Sequence, residues 1–467
     1  MSEFENIVPP NEENPQQDIQ EQPAFEEMPP DAEEPAAEEA APASTADATE
    51  TEDKSPDSSA IVRKVIKPLC IIAAIIIVVL IFKAIFSSPK DSESTLFVDN
   101  MLVFNEINVE NQAVMYGVID KKANIITDAD FSLAYLPGEN IIVAQEPPAG
   151  DELFVQDPAS YGLINKKGDE ITKFSYSDCG VEFSHGLLPM SEGDKWGFVN
   201  TKGEWVIEPA FDKAYSFSEA LAGVQDSKSR KWGFVDEKGK WVINAEFEDV
   251  GSFSDSLAPA KKNGKWGFID EKGEWIVDND YLDVDTFHDN MARAKDISGD
   301  WGYINQKGKW VIKARFQELG LFCESLAVAK KNGKWGFINK KGEWEIDNEF
   351  ADAGNFSNGL AYAKEDADGK YGYINKKGKW KIEPKYDVAY DFSLELACVK
   401  DGDSYGYINK RGKTKIDFAF KYALPFYDDG YAPVCKGKKN TSDEDEWFVI
   451  NQKGKAIFED TFDGIMR

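Results

Sequence analysis

The sequence predicts an all-β protein of tandem three-stranded β-meander repeats stacked as a solenoid-like array, preceded by one transmembrane helix and a disordered tail. Three observations predict it: two columns of aromatic residues that recur at a fixed period, a turn glycine at a constant offset from them, and one long apolar run in an otherwise polar chain of 467 residues.

Residues 1–60 hold eighteen Asp and Glu against one Lys, a charge of −17, and are rich in Pro, Glu and Ala. Such a segment buries too little apolar surface to offset chain entropy, and it reads as a disordered acidic tail. Residues 61–86 follow, unbroken in apolar character from Pro68 to Phe82 and continuing past Lys83 to Phe86. That length crosses a hydrocarbon layer of about 30 Å when Lys83 snorkels to the headgroups. The run starts too far from the N-terminus for a cleaved signal peptide and lacks a small-residue cleavage site. Arg63, Lys64 and Lys67 precede it, whereas Lys83 and Lys90 follow with Asp91 and Glu93 nearby. The bias predicts a single-pass membrane protein with a cytoplasmic N-terminus and an extracytoplasmic C-terminal region. Residues 87–100 read as a linker.

Residues 101–467 carry the repeats. The first aromatic column is Trp196, Trp232, Trp266, Trp301, Trp335 and Trp447, with Tyr161, Tyr371, Tyr405 and, less clearly, Tyr116 in the same place. A second column stands nine residues later at Trp205, Trp241, Trp275, Trp310, Trp344 and Trp380, and the two columns together use every Trp in the chain. From 161 to 405 the spacing stays between 34 and 36 residues, which is the period of a repeat architecture.

One unit reads as follows. A short apolar strand such as Leu257-Ala258-Pro259-Ala260 ends at a tight Asn263-Gly264 turn, a pair that tolerates positive φ. The strand Trp266-Gly267-Phe268-Ile269 is apolar on both faces, so it is expected to be buried on both, with Gly267 admitting a neighbouring aromatic or backbone. A second turn ends in Gly273, matched by Gly203, Gly239, Gly308, Gly342, Gly378, Gly412 and Gly454. The third strand reads Trp-x-Ile, where x is Val206, Val242, Ile276, Val311, Glu345 or Lys381. A position that admits both charge and Val marks the wet face, which turns Trp and Ile toward the core. An aromatic-anchored connector, Phe247 to Phe253-Ser254-Asp255-Ser256-Leu257-Ala258, closes the unit. A meander this small cannot cover its own apolar face, so its neighbours must.

The W-G-[FY]-[IV]-[ND]-x-x-G-x-W core followed by F-x-x-G-L-A resembles the WG repeat, also called the KWG repeat, of bacterial proteins. The resemblance is clearest over residues 190–415, extends to 161–189 and 416–467, and is faint over 101–160. It implies a repeat fold and no general activity. The hairpins are also similar in style to bacterial cell-wall-binding repeats, which hold surface polymers through aromatics between stacked hairpins, a likeness of architecture. Tyr replaces Trp in four units, and Thr414 and Ala456 replace the second Trp, so one ligand site common to all units is not expected. Units of about 35 residues with three strands are short for propeller blades, which favours an open solenoid over a closed β-propeller.

The chemistry-bearing residues point away from catalysis. Only His185 and His288 exist, both in connectors, and no G-x-S-x-G, P-loop or H-E-x-x-H occurs. The acidic stretches 278–285, 365–369 and 442–446 read as solvated loops rather than calcium sites, and no cofactor or metal is expected. Cys398 and Cys435 fall near equivalent places in adjacent units, either as a disulfide or as small buried side chains. The remainder of the chain after the membrane segment carries −19, which argues against a nucleic-acid partner. The expectation is a membrane-anchored, non-enzymatic binding or scaffold module that engages a cell-envelope polymer, glycan or protein. Tyr371 and Tyr405 are the candidate ligand contacts, since Tyr can keep its hydroxyl wet. The alternative is a transmembrane tether or sensor whose acidic tail meets a cytosolic partner.

Overall fold

The structure, a computed structural model, describes residues 95–107, 113–147, 160–437, 445–458 and 461–466. The expected tail (1–60) and transmembrane helix (61–86) lie outside the described residues, as does most of the linker. Among the described residues there is no helix, and hence none long and apolar enough to cross a membrane. Among the described residues the strands pair antiparallel in nine short sheets, each following chain order apart from the first, and no single barrel forms.

The unit around Trp266 shows why these residues take these shapes. Its strands are Asp249–Val250, Ala258–Lys262, Lys265–Ile269 and Trp275–Tyr281, hydrogen-bonded in that order. Lys262 pairs with Lys265 across a two-residue loop in which Asn263 and Gly264 both have positive φ, at 56° and 75°. That is the turn whose twist matches the flanking strands. In the second turn the Asp270 side chain accepts the backbone N–H groups of Lys272 and Glu274 at 3.0 and 2.9 Å, and Gly273 sits at φ 82°. The third strand then bulges twice against its partner, with Trp266 opposite Tyr281 but Phe268 opposite Val277. The bulge carries its backbone over Gly267, where a Cβ would stand 2.5 Å from the Val277 carbonyl oxygen. The Gly of the Trp-Gly pair is therefore required by backbone of its own unit, one of the two options the sequence left open.

The core lies between units. Phe268 joins Phe287, Ala292, Ala294 and Ile304 of the following unit, whereas Ile269 joins Phe234 and Phe247 of the preceding one. The double-sided burial expected of this strand is thus present, and each face belongs to a different neighbour. The second-column Trp is half-buried at the same boundary, edge-on to the closing aromatic of the preceding unit.

Two expectations need correction. The units are four-stranded: the connector supplies a two-residue strand, Asp249–Val250 in this unit, which is too short to show a period-2 pattern. A seven-stranded sheet spanning two units arises because the ten-residue strand Trp205–Ala214 serves as the last strand of one and the first of the next. The array is also joined end to end. Val103, Phe104 and Asn105 pair with Met466, Ile465 and Gly464, so the last strand completes the first sheet. An open stack would leave these strands apart.

The junction is one repeat unit divided between the two ends of the array. Phe462-Asp463-Gly464-Ile465 matches Phe247-Glu248-Asp249-Val250, and Phe97-Val98-Asp99-Asn100-Met101 matches Phe253-Ser254-Asp255-Ser256-Leu257. Asp99 and Asn100 take positive φ as Asp255 and Ser256 do, and the Val98–Met101 bridge reproduces the Ser254–Leu257 one. Leu96 and Phe97 are buried at this junction. Phe462 packs 4.7 Å from Phe104 within this closure core. Phe462→Ala is expected to lower the unfolding free energy by about 3–5 kcal/mol, as for other buried Phe, which urea denaturation of the variant measures.

Candidate functional site

Tyr371 and Tyr405 occupy the first-column position and are handled as the Trp residues are. The Tyr371 hydroxyl donates to Asp352 Oδ2 at 2.6 Å, its edge meets Tyr362, and Lys364 Nζ stands 4.9 Å from its ring centroid. Burial first, then the Asp352 carboxylate, pushes its pKa above the usual phenol value. Tyr405 is half-buried, lies under Lys400 at 5.7 Å and shares a hydrogen bond with Tyr390. Trp266, Trp301 and Trp335 are covered in the same way by Lys261, Lys295 and Lys330, each paired across the strand. A cation already rests on these rings, worth about 0.5–1 kcal/mol at exposed sites. The two Tyr are therefore not set apart from the column as open contacts.

Both His residues lie in connectors, as the repeat frame predicts. His185 Nδ1 is 2.7 Å from Glu237 Oε1, and His288 Nε2 is 3.0 Å from Thr286 Oγ1. Among the described residues no group of three His, Cys, Asp or Glu is arranged to hold a metal ion. The turn at 365–369 closes by its own backbone, Gly369 N–H donating to the Asp366 carbonyl. Cys398 and Cys435 are free, buried thiols, and burial pushes Cys435 up to about 12.

One buried acid escaped sequence reasoning. Asp391, immediately before the connector Phe392, is half-buried as a residue, but its Oδ1 is sealed from solvent with no hydrogen-bond partner, as is Asn355 Oδ1 one unit earlier. Desolvation raises the Asp391 pKa to about 7, only partly countered by the Asn355 backbone N–H. The signal was present in the sequence as Asp where the units before have Ser216, Ser252, Thr286, Leu321 and Asn355, none of them charged.

Connectors and second turns share one rim of the array. Lys376 Nζ reaches the Glu324 carbonyl at 2.8 Å, and Gln306 Nε2 reaches the Asp255 carbonyl at 3.1 Å, each from the second turn of one unit to the connector of the unit before. Two shallow grooves open on this rim. One, of about 430 Å³, is lined by Asn358, Gly359, Asn375, Lys381, Lys410 and Arg411. The other, of about 660 Å³, lies one unit further along, against Glu395, Asn409, Arg411, Lys415 and Lys453. Each is built from a connector, the second turn of the same unit and the second turn of the next. The rim thus offers equivalent clefts side by side.

Comparison with known proteins follows this repeat frame. The model described as WG containing repeat matches residues 161–196, 196–227, 232–266, 266–296, 301–335, 335–370, 371–404 and 405–439. No curated protein matches the chain. Similar solved structures include a eukaryotic initiation factor (TM-score 0.46, 11% identity, 79% of this chain and 97% of that one). BamB from Moraxella catarrhalis (TM-score 0.32, 9% identity, 56% and 93%) and Hsv2p of Kluyveromyces lactis (TM-score 0.28, 10% identity, 59% and 97%) are others. With TM-scores below 0.5, none of these bears on the arrangement of the array or on its function.

Asp391 yields a prediction with a definite sign. Its folded pKa of about 7 stands above the ordinary carboxylate value of 3.8, so the stability it supports is full below that value and is lost as pH rises through about 7. Asp391→Asn is therefore expected to gain stability over the parent chain between pH 4 and 8, by up to about 4 kcal/mol at the upper end. Urea midpoints of both proteins across that range measure the difference.

Proposed function

This chain belongs to the family of WG containing repeats, and from that premise we propose that its array is a non-enzymatic binding or scaffold module, held at a membrane by residues 61–86 and displayed outside the cytoplasm to a cell-envelope polymer, glycan or protein. The observation that carries the reading is the rim, where connectors and second turns recur unit after unit and leave neighbouring grooves of the same construction. Equivalent sites in a row suit a ligand that itself repeats, because weak contacts made at once add through effective concentration. The twelve Trp are meanwhile committed to the repeat frame.

The four-stranded meanders and the shared first and last sheet support a closed, propeller-type ring over an open solenoid. Such a ring presents one rim as a continuous platform. The three cations before residue 68 support a cytoplasmic N-terminus. A second reading, a tether or sensor, is favoured by the −17 tail that this topology leaves on the cytoplasmic side.

Co-sedimentation of the full-length protein, in non-ionic detergent, with isolated envelopes and with envelopes stripped of protein tests the module. Retention that survives stripping is expected for a polymer or glycan, and retention lost on stripping identifies a protein. No retention by either sinks the module reading and leaves the tether, for which deletion of residues 1–60 must change the set of bound partners.

A further inference from the structure

We propose that one arc of the rim, formed by residues 375–381, 409–415 and 451–455, is the docking surface for an extended anionic polymer bearing phosphate or carboxylate along its length. This rests on the binding-module reading and gives its partner a chemistry. The arc lies in three consecutive units. Lys377, Lys379 and Lys381 stand on the first, Arg411, Lys413 and Lys415 on the second, and Lys453 and Lys455 on the third, all exposed. Among the described residues none of these eight is in an ion pair. Lys376 and Lys410, beside them, are held by Glu324 and Glu395. Glu383 and Asp417 stand two residues beyond Lys381 and Lys415 on the same strands.

The fold does not require these charges. In each turn the structural work is done by the Asn side chain, which accepts two backbone N–H groups: Asn375 those of Lys377 and Lys379, Asn409 those of Arg411 and Lys413, Asn451 those of Lys453 and Lys455. Any residue with an N–H serves there. The same turn is built elsewhere from Asp236-Glu237-Lys238-Gly239-Lys240 and Asp270-Glu271-Lys272-Gly273-Glu274, with no net positive charge. The third-strand position tells the same story. It is exposed Val206, Val242, Ile276 and Val311 in four units and Glu345 in the fifth, then Lys381 and Lys415 where the grooves lie.

Eight unpaired cations on a protein with 84 acidic and 53 basic side chains are a local departure from its overall charge. Both grooves run between them, and Arg411 lines both. At physiological ionic strength charges separated by more than about 8 Å are largely screened, so the acidic remainder of the molecule does not cancel the arc at contact range. A flexible polyanion gains on each cation it meets and releases counterions as it does, as single-stranded polyanions do generally. Guanidinium at the shared wall of the grooves suits two-oxygen anions of either kind.

The test titrates the full-length protein, in non-ionic detergent, with long-chain polyphosphate, with polygalacturonate and with neutral dextran. Two variants of equal charge change are compared: Lys377→Gln/Lys381→Gln/Arg411→Gln/Lys415→Gln in the arc, and Lys202→Gln/Lys238→Gln/Lys240→Gln/Lys272→Gln on the same rim elsewhere. Surface changes of this kind leave the fold intact, which equal melting temperatures verify. The expected result is salt-sensitive binding of at least one polyanion, none of dextran, a loss of tenfold or more in the arc variant and less than twofold in the other. The tighter polyanion tells phosphate from carboxylate. Equal losses in both variants, or no polyanion binding, overturn the proposal. So does binding that emerges only when residues 1–60 are deleted, which makes the acidic tail the occupant. If the arc variant still sediments with stripped envelopes as the parent does, the arc falls and the module reading stands; if the parent binds neither envelopes nor polyanion, both fall.

Discussion

The contact on which the array depends is the edge-on meeting of the aromatic that closes one unit with the second-column Trp of the next. It recurs with little variation: Phe211 with Trp241 at 5.7 Å and 88°, Phe247 with Trp275 at 5.8 Å and 80°, Phe316 with Trp344 at 5.6 Å and 88°. Such a pair contributes about 0.5–1.5 kcal/mol beyond the area it buries. More important is its position, because it fixes each unit against the one before. Where Thr414 replaces the second Trp, Phe418 stacks against Tyr386 at 6.4 Å instead, so the boundary keeps an aromatic contact by another route.

A protein held together at its unit boundaries has a problem at its ends. Each unit covers one face of its predecessor and leaves one face of its own bare, and open repeat arrays answer with polar terminal caps. Here the ends cover each other. The unit divided between Phe97–Met101 and Phe462–Ile465 turns two bare faces into one more boundary, filled by Phe97, Phe104, Phe458 and Phe462. Closing it brings together residues more than 350 positions apart, as in the Ile107 N–H donated to Asp463. Such a contact forms only when the whole path between has been ordered.

What could be read from the residues was what each unit does alone. The period, the Asn263-Gly264 hairpin, the left-handed Gly273 and the two-faced Trp266–Ile269 strand follow from local sterics and from apolar pattern, and all are in the structure. What could not be read depends on something outside the unit. Asp249–Val250 is a strand only because Ala260 and Lys261 pair with it. The closing strand hides in Phe462-Asp463-Gly464-Ile465, which carries neither Trp nor a Phe-Ser pair, so no column of aromatics reveals it. The sealing of Asp391 Oδ1 depends on neighbours from other segments, which no local pattern shows. The basic arc was lost in the net charge, since a sum over 467 residues says nothing of where eight cations stand.

The repeat therefore divides its positions into two sets. The turn glycines, the aromatic columns and the Asx side chains are committed, because backbone geometry and the unit boundaries use them. Some residues between them in the second turn reach across a boundary, as Gln306 and Lys376 do, but the others, and the second residue of the third strand, are used by neither. Those uncommitted positions are where the units differ most in chemistry, from Val206 and Ile276 to Lys381 and Lys415, and they all lie on or beside one rim. A fold that stabilises itself with one set of side chains and presents the other set to solvent can carry different surfaces along the same array. Differences in surface chemistry between units are then set in the turns, while the Trp for which the repeat is named serve the frame.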